Sequence, residues 1–264
     1  MLSFIIVFIV LIASAWFSII KNWLTSSAAL LMVLTGALIE AAFGIRGIIA
    51  IFLFFISANL VEKALGEPRV KPQISARKGR DVYQVLANGG VPLIAAVGLL
   101  LWPTPFWLGV FLAAVAEANA DTWASEIGSK IGGAPYHVIL RKRVPAGVSG
   151  SITLSGSLAG LAGAGFIALY GALVWFHHSG FQFILAFVLI TLLGWAGQWV
   201  DTLLGGWLQA RYRCAVCGAL TDHSRHCEKE TALIGGKRFV TNNFVNGSSA
   251  LITGILGGIL LGFV

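Results

Sequence analysis

The chain has 264 residues, 57% of them apolar and only 11% charged, with a mean hydropathy of +0.86. A soluble domain carries roughly 25% charged residues, so a water-facing coat around a core of this size is excluded and lipid must do the covering. Lys and Arg outnumber Asp and Glu by 18 to 11. At this hydropathy the excess points to cytosolic loops and anionic lipid or phosphate rather than to nucleic acid.

A crossing helix takes roughly 20 apolar residues. Leu2 to Ile20 qualifies, and it lacks the basic start and small-residue cleavage site of a signal peptide, so a retained helix is expected. Between residues 28 and 60 the apolar run is interrupted by Glu40, Gly44, Arg46 and Gly47. Two shorter helices, 27–41 and 45–60, are expected to meet there at an outer turn. Further spans are expected over 89–102, 106–126, 151–176, 181–208 and 244–263, with tight outer connections at 103–105 and 177–180. The expected fold class is an all-α polytopic transmembrane bundle of about eight spans, with seven as the alternative. It forms a single integral membrane domain over 1–264 with a cytosolic Cys/His-containing loop at 209–243. An external N-terminus places 21–26, 61–88, 127–150 and 209–243 inside, and leaves Arg46 alone of the 18 basic residues outside. The expected location is a prokaryotic plasma membrane, with the site facing the cytosol.

A carboxylate near the bilayer centre costs roughly 2.5–3.5 kcal/mol on insertion scales, so acids inside spans need partners or a task. The fifth span ends with Glu117, Asn119, Asp121, Thr122, Ser125 and Glu126. At about 100° per residue, Glu117, Asp121 and Ser125 share one face, and Asn119, Thr122 and Glu126 another. Asp121 and Glu126 stand about 140° apart on an unbroken helix. Either they serve two neighbours, or the helix unwinds near Gly128. The seventh span carries Gly194, Gly197, Asp201 and Gly205 on one stripe, with Gln198 beside it. Small residues there let another helix approach Asp201. Asp121-Thr122 and Asp201-Thr202 fall at the same depth, which points to one shared site.

Three loops carry further polar groups. Residues 77–88 read as an amphipathic helix with Arg77, Arg80, Asp81, Gln84 and Asn88 on one stripe. Arg141, Lys142 and Arg143 precede Gly147, Ser149, Gly150 and Ser151, a cationic, glycine-containing helix entry able to receive phosphate. The same residues also serve as plain caps and turns. Cys214, Cys217 and Cys227, with His226 or His223, have the spacing of a structural zinc site, and three cysteines in a reducing loop are too few for a disulfide framework.

Gln84 to Gly89, Asn119 to Gly128, Val144 to Gly150, Asp201 to Gly205 with Gln209, and Asn242, Asn243 and Asn246 occur together in this order. In these motifs the chain resembles the domain-of-unknown-function-92 family, which includes transmembrane protein 19 and the plant phytyl-phosphate kinase. The resemblance runs over nearly the whole chain, and the cysteine knuckle resembles bacterial members only. It implies a membrane kinase that moves a phosphoryl group from a nucleoside triphosphate, CTP, to a prenyl monophosphate. On that reading Asp121, Glu126 and Asp201 hold Mg²⁺, and Asn119, Asn242, Asn243 and Asn246 orient phosphates or bound water. Arg77, Arg80, Lys142 and Arg143 take the nucleotide phosphates. Gln84, Asn88, Gly147, Ser149, Gly150, Gln198 and Gln209 complete the substrate site, and the prenyl tail lies between spans or in lipid. Two alternatives stand beside it: a transporter or flippase using the acids as ion sites, and a cytidylyltransferase that makes a CDP-alcohol and releases pyrophosphate.

Overall fold

The computed structural model describes residues 2–66 and 79–264. The described residues form seven helices: α1 (Leu2–Ile20), α2 (Ser26–Ala64), α3 (Val82–Leu101), α4 (Pro105–Ile131), α5 (Leu154–Trp175), α6 (Gly180–Leu208) and α7 (Asn242–Leu261). Five of the starts share one device. The side chains of Thr25, Asp81, Thr153, Ser179 and Thr241 each accept from the backbone N–H three residues on, satisfying a donor that the first helical turn leaves free. α4 instead begins with Pro105, whose missing N–H costs nothing there.

α2 is two helical limbs broken at Gly44, whose φ of 65° and ψ of −165° lie outside helical backbone and suit a residue without Cβ. The chain turns back at this point. The Trp23 ring lies 6.4 Å from Phe55, and Lys63 Nζ lies 5.7 Å from the Trp23 ring. A straight helix would separate residues 23 and 55 by about 48 Å. The limbs are therefore antiparallel, with the break inside the 41–45 stretch read as a turn.

A helical membrane fold is what the chain has, but the expected count of about eight spans is not what is found. Five helices, α2, α3, α5, α6 and α7, are long and apolar enough to cross a membrane. α1 supplies a shorter apolar stretch, Phe4–Ile20. α4 falls outside the five for a physical reason: it is the central helix. Every residue from Gly109 to Ala120 is buried, with α2, α3, α5, α6 and α7 packed around it. Shielded from lipid, it can carry Glu117, Asn119, Asp121 and Glu126. Close approach sets its neighbours. A Cβ on Gly109 would strike the Gly257 carbonyl of α7, and one on Gly156 of α5 would lie 2.8 Å from the Ala124 carbonyl.

The loops leaving α4 and α6 fold into small sheets that an all-α reading did not anticipate. β1 (Tyr136–His137), β2 (Lys142–Arg143) and β3 (Ser151–Ile152) pair antiparallel in the order β2-β1-β3. β4 (Arg211–Arg213), β5 (Leu220–Thr221) and β8 (Ala232–Gly235) form a sheet of order β5-β4-β8, beside a hairpin of β6 (Arg225–His226) and β7 (Lys229–Glu230). The two loops lock together at the end of α6. Ser149 Oγ donates to Gln209 Oε1 at 2.7 Å, and Arg211 Nη1 lies 2.8 Å from His137 Nε2. Gly150, at φ +79°, presses its bare Cα against Gly206, where a side chain would not fit.

Candidate functional site

The second halves of α4 and α6 and the first half of α7 bring carboxylates and amides together near this looped end. Glu117 and Asp121 stand one turn apart on α4. Asn242, Asn246 and Ser249 fall on one stripe of α7. Ser249 Oγ donates to Glu117 Oε1 at 2.7 Å and lies 3.4 Å from Asp201 Oδ2 of α6. With its amide nitrogen turned toward acceptors, Asn246 donates to the Asn242 carbonyl at 2.8 Å and to Asp201 Oδ2 at 3.2 Å. Its other amide atom lies 3.5 Å from the Asn88 side chain of α3. Gly197 makes room for this meeting, because a Cβ there would lie 2.5 Å from Glu117 Cγ and overlap the Thr253 hydroxyl.

Asp121, Asp201 and Glu117 are within electrostatic reach of one another. Among the described residues no Lys or Arg pairs with any of the three. Glu117 is sealed, at 2% exposure, whereas Asp121 and Asp201 are half-buried. The carboxylates alone do not form a closed cage. The only group of three or more His, Cys, Asp or Glu ligand atoms gathered within 4.8 Å, among the described residues, lies elsewhere.

Several residues singled out in the sequence sit apart from this cluster. Asn119 is wholly enclosed: its Oδ1 accepts from Ser57 Oγ at 2.9 Å, and its Nδ2 donates to the Gly163 carbonyl at 2.8 Å. It ties α2, α4 and α5 together. Glu126 turns away and pairs with Lys130 at 2.9 Å, and Lys130 also donates to the Glu62 carbonyl. α4 stays helical through Ile131, so the 140° offset between Asp121 and Glu126 is kept and they face different neighbours. Gln84 closes a capping box with Asp81, which places Arg80 ahead of α3 rather than on it. Arg80 pairs through its backbone with Trp23 and Thr25. Arg77 lies outside the described residues. Gln198 bonds Thr202, and its buried Oε1 has no partner among the described residues. Lys142 and Arg143 are exposed on β2, with Arg143 donating to the Ala134 carbonyl at 2.8 Å. Ser149, Gly150 and Gln209 form the lock between loops, and Gly147 sits exposed in the left-handed region at φ 89°. Asn243 lines an apolar cleft of about 660 Å³ between α3 and α7, with Tyr83, Leu86, Phe239, Phe244 and Leu251. Ser249 was missed, although its place seven residues after Asn242 is a readable helical signal. Glu117 was seen on the Asp121 face but not counted as a site residue.

The chain matches the family described as integral membrane protein DUF92 over residues 9–254. It belongs to this family. An uncharacterized membrane protein of Methanocaldococcus jannaschii is 32% identical over 162 residues, which is 61% of this chain and 65% of that one. Protein PGR of Arabidopsis thaliana is 25% identical over 231 residues, 79% of each chain. Protein VTE6, chloroplastic, of the same plant is 28% identical over 156 residues, 56% of this chain and 46% of that one. The matched region thus spans just under two thirds of the archaeal relative and about half of VTE6. No solved structure matches.

The loop after α6 gives this DUF92 chain a second cluster. Cys214, Cys217, His226 and Cys227 bring ligand atoms within 4.8 Å of one another and could hold a metal ion. His223 does not join them, because its ring lies 3.4 Å from Asp222. Hydrogen bonding from the Cys217 backbone, aided by His226 and Val216, pulls the Cys214 thiol down to about 6. Burial and the neighbouring sulfurs push Cys227 up to about 11. In the adjoining loop, burial holds His137 below its ordinary value, and the Arg211 and Lys142 charges add to this.

Proposed function

We propose that the chain is a membrane phosphotransferase that carries a phosphoryl group from a nucleoside triphosphate, CTP, to a prenyl monophosphate. One observation carries the reading: two half-buried aspartates from different helices, Asp121 and Asp201, lie within electrostatic reach of each other beside Asn246 and Ser249, and among the described residues no Lys or Arg pairs with either. Uncompensated carboxylates at such depth are costly, and a divalent cation relieves the cost. The donor set is all oxygen and suits Mg²⁺, which takes one or two protein carboxylates and completes its shell with water and phosphate. Asp121 and Asp201 would hold it, whereas Glu126 is committed to Lys130. When bound, Mg²⁺ offsets the charge of the phosphates in transfer.

The protein's own part is positioning. A phosphate monoester is already an anionic nucleophile near neutral pH, so no general base is needed. Its oxygen attacks the terminal phosphorus of the triphosphate, and the bond to the bridging oxygen breaks, releasing the nucleoside diphosphate. Asn88, Asn242 and Asn246 offer amide donors to the phosphates, and Ser249 fixes Glu117 and Asp201 in register. Lys142, Arg143 and Arg80 draw anions to this end of the bundle. The prenyl tail takes the α3–α7 cleft, whose aromatic and aliphatic lining opens beside Asn243. The cluster faces the cytosol, as the crowding of basic residues at its end supports.

The test is purified protein in lipid nanodiscs, supplied with a panel of prenyl phosphates and nucleotides and read by mass spectrometry. A prenyl diphosphate with the nucleoside diphosphate supports the kinase. A CDP-alcohol with pyrophosphate moves the assignment to a cytidylyltransferase. Absence of nucleotide binding with proton-dependent solute uptake moves it to a transporter, in which sealed Glu117 is a proton site.

A further inference from the structure

We infer that Cys214, Cys217, His226 and Cys227 form a structural zinc site that folds the α6–α7 loop into a lobe over the inner end of α7. Zinc bonds of about 2.3 Å to sulfur and 2.0–2.1 Å to nitrogen, at tetrahedral angles, require edges near 3.8 Å between sulfurs and near 3.5 Å from sulfur to nitrogen. Cys217 Sγ lies 3.7 Å from Cys227 Sγ and 3.5 Å from His226 Nδ1, and Cys227 Sγ lies 3.2 Å from His226 Nδ1. These three edges have the dimensions of a coordination shell, and the Cys214 sulfur lies within 4.8 Å of the other three ligand atoms.

Three further observations fit. The Val216 N–H donates to Cys214 Sγ at 3.4 Å, the kind of outer bond that steadies a metal thiolate. Cys227 and Glu228 both occupy the left-handed region, at φ 49° and 59°. They are the two central residues of the β6–β7 hairpin, where a type I′ turn takes both through positive φ, and this turn sets the Cys227 thiol beside His226. The lobe also has almost no apolar core: between 209 and 243 the buried hydrophobics are Ala210, Tyr212, Cys214 and Val240. A loop of this size with four such residues needs a staple. Binding is balanced by release of the three thiol protons to solvent, with His226 neutral. Four protein ligands leave no open position, so the ion is structural and not catalytic. What it shapes is specific. Tyr212, His223, Ser224, Arg225, Arg238 and Thr241 line a polar cleft of about 570 Å³ between the lobe and the start of α7. β4 of the lobe carries Arg211 to His137.

The decisive measurement is elemental analysis of the full chain, purified without chelator or metal-affinity resin, followed by cobalt exchange. About one zinc per chain is expected. Cobalt should give thiolate charge-transfer absorption and the visible bands of a tetrahedral ion. Cys217→Ser should lose the metal and His223→Ala should keep it. Limited proteolysis should cut the lobe after chelation and spare it before. Zinc-free folded protein in which all three thiols react, or in which mass spectrometry finds a disulfide, would overturn the site. The cobalt spectrum of the unaltered chain decides the matter even if Cys217→Ser does not fold, and none of these readouts depends on phosphoryl transfer.

Discussion

Replacing Asn119 with alanine separates a packing residue from a reacting one. The side chain is 0% exposed and makes one bond to Ser57 of α2 and one to the Gly163 carbonyl of α5. Interhelical hydrogen bonds inside membrane proteins average about 0.6 kcal/mol, with a ceiling near 1.7. Two of them, lost together with some packing, amount to about 1–3 kcal/mol. Ser57 keeps the Trp123 indole N–H, which donates to it at 3.3 Å, and it also donates to the Phe54 carbonyl. The damage is then concentrated at Gly163, whose carbonyl loses its side-chain donor. Unfolding in mixed micelles should show the loss of stability, and turnover per folded molecule should be unchanged. A variant with unaltered stability and a tenfold fall in turnover, about 1.4 kcal/mol of barrier, would refute this and put Asn119 among the reacting groups.

The other variants follow the same geometry. Asp121→Asn and Asp201→Asn keep the shape of the side chain and should insert normally, yet each should lower phosphoryl transfer by more than about tenfold, partly recovered at high Mg²⁺. Radiolabel transfer to a confirmed prenyl phosphate measures this, and near-native rates in both would remove them from the site. Glu126→Gln takes the counter-charge from Lys130, whose side chain is buried at 6% exposure, so it should lower stability while leaving transfer per folded molecule intact in the same assay. Because His137 is held below its ordinary value of 6.5, the unfolded chain binds its proton first as pH falls. Stability should therefore be full above about pH 6.5 and decline below it, until the folded ring protonates too. Thermal melts across that window should show the decline in the native protein and a flatter profile in His137→Gln.

What was legible in the sequence follows from which physics is local. Apolar run length reports lipid contact directly, so α3, α5, α6 and α7 fell close to where they were expected. α4 also lies where 106–126 was expected, at Pro105–Ile131, but there other helices replace lipid, and this is why acids and amides are tolerated. A helical wheel correctly set Asp121 apart from Glu126. It could not say which face meets α6 and α7, because that depends on where Gly109 meets Gly257 and where Gly197 admits Glu117.

The loop 141–151 shows the opposite limit. Glycine and serine before a helix bind phosphate in one context and allow close packing in another, with the same composition. Here Ser149 and Gly150 are used against Gln209 and Gly206, while Lys142 and Arg143 stay exposed on β2. The Asp81–Gln84 spacing of a capping box is readable in the sequence, but a helical wheel over 77–88 sees only a polar stripe. A cap stops a helix at its start, and that moves Arg80 off the face on which the stripe had placed it. The Cys/His loop was the most legible of all. Ligand spacing encodes its own geometry, and the structure had only to choose between two histidines, which it does by turning His223 toward Asp222 and His226 toward the sulfurs.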